Sequence, residues 1–239
     1  MQKHRLSVTL AALLLTICSV QSQATAFTDK SAFLTALPGP AGVLNFDSLS
    51  GGLNLSGTTQ TVTGGPGTGI TFPASVTDWQ GYTHQLQVVA NVGNNNPTTS
   101  NPNSLGTDDA GNYNTIVGGT VIDLDLTSPV NAFGLSFITP DTMYNDDIRL
   151  VVGGDTASLV VGNRTLVGNF NGSDYYAYFL GVIESTGFSS ASIQYGPGVS
   201  GGPFLYNADD LTVAATSTVI PEPGTLALLL GGVPAWLLR

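Results

Sequence analysis

Residues 120–138 read TVIDLDLTSPVNAFGLSFI. Through the first half, Val121, Asp123, Asp125 and Thr127 fall on one side of an extended chain and Ile122, Leu124 and Leu126 on the other. That alternation is the mark of a strand with one wet and one buried face, as an antiparallel sheet allows. The second half, AFGLSFI, is apolar almost throughout, and the Ser-Pro-Val between the halves reads as punctuation between two strands.

The same texture runs from Phe27 to Val219. Short runs rich in β-branched and aromatic residues (GVLNFDSL, GITFPASV, HQLQVVANV, IRLVVGG, TASLVVG, RTLVGNF, YYAYFLGVI, SASIQYG, NADDLTVAA) alternate with Gly, Asn, Pro and Ser. Turn signals spaced about ten residues apart, with no long helical periods between them, predict a mainly β fold, an antiparallel β-sandwich or jelly roll. One short helix is expected in TDKSAFLTAL, capped by Thr28, with Phe33, Leu34 and Leu37 on its apolar side and Pro38-Gly39-Pro40 ending it. NVGNNNPTTSNPNSLGTDDAGNYN, the longest polar segment, reads as a loop.

Composition narrows the function. The 239 residues carry 16 acidic and 6 basic side chains, for a net charge of −10. A phosphate backbone is repelled by such a surface, so nucleic acid is not expected as a partner. Charged residues make up only 9% of the chain, against roughly 25% in an ordinary domain. Hydroxyls and amides take their place.

Both ends carry export chemistry. At the N-terminus, Lys3 and Arg5 precede an apolar run from Val8 to Val20 and then Ala24-Thr25-Ala26, the order of a secretion signal over 1–26 cut after Ala26. The apolar run is shorter than the roughly 20 residues that cross a bilayer. Cys18, the chain's one cysteine, lies inside the signal, so the processed chain has no disulfide and no thiolate. At the other end, Pro221-Glu222-Pro223 is followed by an apolar run closed by Arg239. As a helix, Gly224 to Leu238 would span roughly 22 Å against a hydrocarbon core of roughly 30 Å, a short membrane helix further weakened by Gly231, Gly232 and Pro234.

This tail resembles the C-terminal sorting signal of the PEP-CTERM family of secreted bacterial proteins. The likeness rests on Pro221-Glu222-Pro223, on Thr225 to Leu230 and on Arg239, which stands alone where the family usually has several basic residues. The resemblance implies a division into signal peptide 1–26, β-domain 27–219 and sorting signal 220–239. It further implies passage through the secretion machinery, a transient stay in the inner membrane and recognition there by an exosortase. Cleavage near the motif would then leave the protein at the cell surface or outside the cell. SPVNAFGLSFI, YFLGVIESTGFSSASIQYG and FLYNADDLTV are similar to the strands of β-rich domains that often carry this signal.

Local chemistry adds candidates. His84 is the one histidine after the signal and Glu184 the one glutamate outside the sorting motif. No GxSxG surrounds a serine; GFSSA at Gly187 to Ala191 comes nearest, and nothing selects a carboxylate pair for glycoside hydrolysis. Asp47, Asp209 and Asp210 are the candidate ligands of a structural calcium ion, because first and last strands of a jelly roll tend to be neighbours; Asp108-Asp109 and Asp146-Asp147 are further pairs, and plain turn carboxylates are the competing reading. Trp79 and Tyr82 in DWQGYTH could contact a sugar, as could Tyr175, Tyr176 and Tyr178; half-filling the core is their other use. The expected function is that of a non-enzymatic surface or matrix protein associated with exopolysaccharide. The alternative is a carbohydrate-binding module, with a hydrolase third.

Overall fold

A computed structural model describes residues 24–91, 98–100, 102–170, 172–196 and 204–216. Most of the signal peptide, the sorting motif Pro221-Glu222-Pro223, the C-terminal helix expected after it and Arg239 lie outside the described residues.

Strand β1 is Thr25–Phe27, followed by helix α1, Lys30–Ala36, and by β2 (Ala41–Leu44), β3 (Thr59–Thr61) and β4 (Thr63–Gly64). Then come β5 (Gly69–Thr71), β6 (Val76–Thr77), β7 (Thr83–His84), β8 (Leu86–Ala90), β9 (Asn103–Thr107) and β10 (Ile116–Val117). The last six are β11 (Ile122–Thr139), β12 (Ile148–Val152), β13 (Asp155–Ser158), β14 (Thr165–Phe170), β15 (Ser173–Tyr195) and β16 (Leu205–Ala214). Every pairing among them is antiparallel, so the described chain is mainly β, sandwich-like, with one α-helix.

The opening stretch corrects its own reading. The two runs in 120–138 are one strand, β11, and YYAYFLGVI and SASIQYG are likewise one strand, β15; the two pair from Ile122↔Ile193 to Thr139↔Tyr176. Ser-Pro-Val marks a register irregularity between Asp125 and Ala132, not a turn. A bulge tolerates the proline that a regular ladder would reject. Gly187 answers it across the pair, because a Cβ there would lie 3.2 Å from the Pro129 Cβ.

Around this pair the rest assembles. β16 and β5 flank β11; β14, β1 and β12 flank the far side of β15. β2 pairs with β16, so the first long apolar run and the last are neighbours, as the sequence predicts. The alternation expected for Ile122 to Leu126 is observed, with Ile122, Leu124 and Leu126 buried and Asp123 and Asp125 exposed. Phe133, Leu135 and Phe137 continue that inward face and join Phe46, Phe72, Leu180 and Leu211 in the main core. The segment predicted as a polar loop contains β9, whose five residues are all buried and pair with β8. Two of its polar letters are satisfied inside, since the Asn103 amide donates to Phe46 O and Leu49 O and the Thr107 hydroxyl donates to Thr115 O, whereas the Ser104 hydroxyl is buried without a partner among the described residues.

The outward face of the same strands carries α1. Its N-cap is Asp29, not Thr28: the Asp29 carboxylate accepts the Ala32 N–H at 2.7 Å, while the Thr28 hydroxyl accepts from Asn163. Phe33 is fully buried and Leu37 packs beside it, whereas Leu34 stands exposed. Gly134 and Gly181 face each other across β11 and β15, and the Phe33 ring lies over them. A Cβ would come within 3.1 Å of that ring at Gly134 and 2.6 Å at Gly181. Phe179 at 5.1 Å and Phe27 at 5.6 Å complete the cluster. Because Thr25 and Ala26 pair with Ile183 and Val182 in β1, a signal cut after Ala26 leaves only Phe27 of that strand.

Phe33→Ala is expected to cost about 3–5 kcal/mol of unfolding free energy, since it empties a site walled by backbone that cannot collapse. Gly181→Ala is expected to destabilise as well, by overpacking the same site. Urea denaturation of both variants measures this; a Phe33→Ala loss under about 1 kcal/mol would contradict it.

Candidate functional site

The two carboxylates singled out at the end of the body meet through an irregularity. Ser136 pairs with Asp209 and Gly134 with Thr212, so Asp210 and Leu211 both stand opposite Leu135. Asp210 has φ +52°, the left-handed region that non-glycine residues seldom adopt. A regular strand sends consecutive side chains to opposite faces; this bulge lets Leu211 enter the core while Asp209 and Asp210 share the Thr99 hydroxyl, at 2.9 and 2.8 Å.

Donors crowd these oxygens. Asp209 Oδ2 accepts the Thr99 and Ser100 N–H groups, each at 3.0 Å, and Asp209 Oδ1 accepts its neighbour's N–H at 2.8 Å. Asp210 Oδ2 pairs with the Lys30 ammonium at 2.8 Å, tying α1 to β16. Asp209 is wholly buried. Burial, with the Asp210 charge adding to it, pushes its carboxyl up to about 6, against the pull of the Ser100, Thr99 and Asp210 donors. Asp47 belongs to another network, accepting the Asn103 N–H at 3.2 Å. Among the described residues no three His, Cys, Asp or Glu side chains converge. Hydrogen-bond donors are what a buried carboxylate needs, and a calcium ion at Asp209 would have to displace them.

Asp109 and Asp147 are turn acceptors, while Glu184 lies within β15. Asp109 caps the 3-10 turn Ala110–Asn112 through Gly111 N–H and Asn112 N–H. Asp147 accepts the Tyr144 N–H at 2.6 Å, and burial raises its carboxyl above the usual value. Burial, then the Asp155 charge, likewise raises Glu184, which packs against Gly153 in the turn between β12 and β13.

A second candidate is the hairpin of β6 and β7. Its Asp78 accepts the Gln80 and Tyr82 N–H groups, both at 2.9 Å, and faces His84 Nε2 at 3.4 Å. Burial alone would raise Asp78, but Tyr82, His84 and Gln80 together outweigh it and hold the carboxyl below its ordinary value. Gly81, at φ +88°, closes the turn. The clip leaves Trp79 55% and Tyr82 64% exposed, so neither fills the core. Tyr178 does fill it, and Tyr176 lies under the Arg164 guanidinium at 4.0 Å. The second ring nitrogen of His84 looks toward Asp108 at 3.8 Å, so carboxylates and no serine hydroxyl face the imidazole among the described residues. GFSSA lies within β15, with Ser190 paired to Asp125.

Sequence reading missed a third place altogether, a pocket of about 390 Å³ on the outward face. Thr28 to Ser31 at the start of α1, Thr99, Ser136, Asn163, Thr165 and Phe179 contribute to its wall. No motif marks it, because the residues come from five separated segments.

Asp209 titrates near 6 when folded and near 3.8 as a free group, so between those values the folded chain holds more protons than the unfolded one. Stability therefore falls as pH rises through about 6, and the raised Asp147 and Glu184 act in the same direction. The melting temperature is expected to be higher at about pH 5 than at about pH 7.5, and unchanged by chelator or millimolar calcium. A melting temperature that climbs with pH over this range, or that chelation lowers, would contradict the account. No protein-family model, curated protein or solved structure matches the chain.

Proposed function

We propose that the chain is an exported, exosortase-sorted surface or extracellular-matrix protein of a Gram-negative bacterium, non-enzymatic and associated with exopolysaccharide. The observation that carries this reading is the Pro221-Glu222-Pro223 motif with its apolar run and Arg239, set against a secretion signal at the other end. The body is compatible with it: a sandwich-like β-domain, jelly-roll-like in placing β2 beside β16, in which Asp109 serves a turn and Asp209 a buried network. In transit the short apolar tail would pause in the inner membrane with Arg239 on the cytoplasmic side, where positive charge is favoured. In a host with the exosortase, intact-mass analysis of the final form should show a chain lacking the residues after the motif. Deleting the enzyme should leave the full-length form in the inner membrane, and Arg239 retained at the final location would overturn the proposal.

The exposure of Trp79 and Tyr82 on a clipped hairpin favours a second reading, a carbohydrate-binding module. Aromatic rings held rigidly in water offer the apolar face that a pyranose C–H face needs. Trp79→Ala should then abolish retention on isolated exopolysaccharide, and unchanged retention would leave the hairpin without this role.

A further inference from the structure

We infer that the pocket between the start of α1, β14 and the outward face of β11 and β15 is a binding site for a neutral sugar of one or two rings. This site is distinct from the Trp79 hairpin, and the inference rests on the pocket's own chemistry, not on the export reading.

Size comes first. At about 390 Å³ the space falls at the small end of ligand pockets, enough for one or two pyranose rings with their waters. Its rim is polar, and its floor on β11 and β15 combines apolar surface with the Ser136 hydroxyl. Phe179, 6% exposed, belongs to the floor, and Ala177 lies beside it on the same face of β15. The Ser136 hydroxyl, on a residue 2% exposed, and the Thr165 hydroxyl make no side-chain hydrogen bond among the described residues. Two donor-acceptor groups left over in a hydroxyl-rich wall are what a ring of vicinal hydroxyls would satisfy. The rim is already fixed, because the Asn163 amide donates to the Thr28 hydroxyl at 2.6 Å and Thr99 is held by Asp209 and Asp210. A rim tied down before the ligand arrives reduces the ordering that binding must impose.

Charge decides among polar ligands. Among the described residues Lys30 is the one cation in the wall, and Asp210 neutralises it at 2.8 Å; Asp29 lies in the wall and Asp209 behind it. The local balance is negative on a chain of net charge −10, so a uronic acid or phosphate meets repulsion where an uncharged polyol does not. A zwitterionic amino acid would need a free cation for its carboxylate, and Lys30 is engaged.

The purified full-length chain, titrated by calorimetry with glucose, galactose, mannose, N-acetylglucosamine, cellobiose and lactose, with glucuronate as the charged control, tests this. At least one neutral sugar should bind saturably, more tightly than glucuronate. Thr165→Val, an exposed and nearly isosteric change, and Ser136→Ala should each weaken it roughly tenfold without lowering the melting temperature, while Trp79→Ala leaves it unchanged. No saturable binding up to about 50 mM, binding untouched by both pocket variants, or glucuronate bound as tightly as the neutral sugar would each overturn the proposal.

Discussion

The antiparallel pairing of β11 with β15 is the constraint on which the other elements depend. Two strands of 18 and 23 residues run against each other. Among the described residues most other strands of the main sheet attach directly to one of them or to β16, which β11 holds, and β3, β4, β8 and β13 attach one strand further out. Strands this long exceed the usual five or six residues, and a regular ladder of such length would twist too far to serve two layers. The irregularity at Pro129 and Gly187 relieves that. It breaks the register between Asp125 and Ala132 and so lets one end of β11 take β5 as its neighbour and the other end take β16.

The same pair settles what its outward face can carry. Gly134 and Gly181, directly opposed, open a notch in the sheet surface that a phenylalanine ring fills, and α1 is docked there by one side chain. A seven-residue helix has little stability of its own, so its position depends on this burial and on the Lys30–Asp210 ion pair. The helix in turn roofs the pocket, and the bulge at Asp210 supplies the carboxylates that hold both Lys30 and Thr99. One backbone irregularity thereby links the sheet, the helix and the pocket wall.

Much of the fold was legible because burial follows period two where one face is wet. Ile122, Leu124 and Leu126 announce their face in the letters, and so does the helix around Phe33. What was not legible depends on partners distant in the chain. Asn103 and Thr107 look like loop residues until Phe46, Leu49 and Thr115 supply their hydrogen bonds. Ser-Pro-Val looks like a turn until Gly187 is placed opposite it. In the candidate sites, the Asp209-Asp210 pair was visible, but its partners are Lys30, Thr99 and Ser100, each more than a hundred residues away. Trp79 and Tyr82 were visible as letters; that they face water follows from Asp78, which gathers the turn's N–H groups. Ser136 carried no signal, since a serine in an apolar strand looks the same whether it meets solvent, a partner or a pocket.

Native-state hydrogen exchange tests the central claim, that the β11–β15 pair organises the whole described body. Backbone amides of residues 132–138 and 179–183 should exchange most slowly, only through global unfolding and with the full denaturant dependence, while those of β3, β4 and the β6–β7 hairpin open locally. Exchange of the central amides through local openings, as fast as in the short edge strands, would contradict the account.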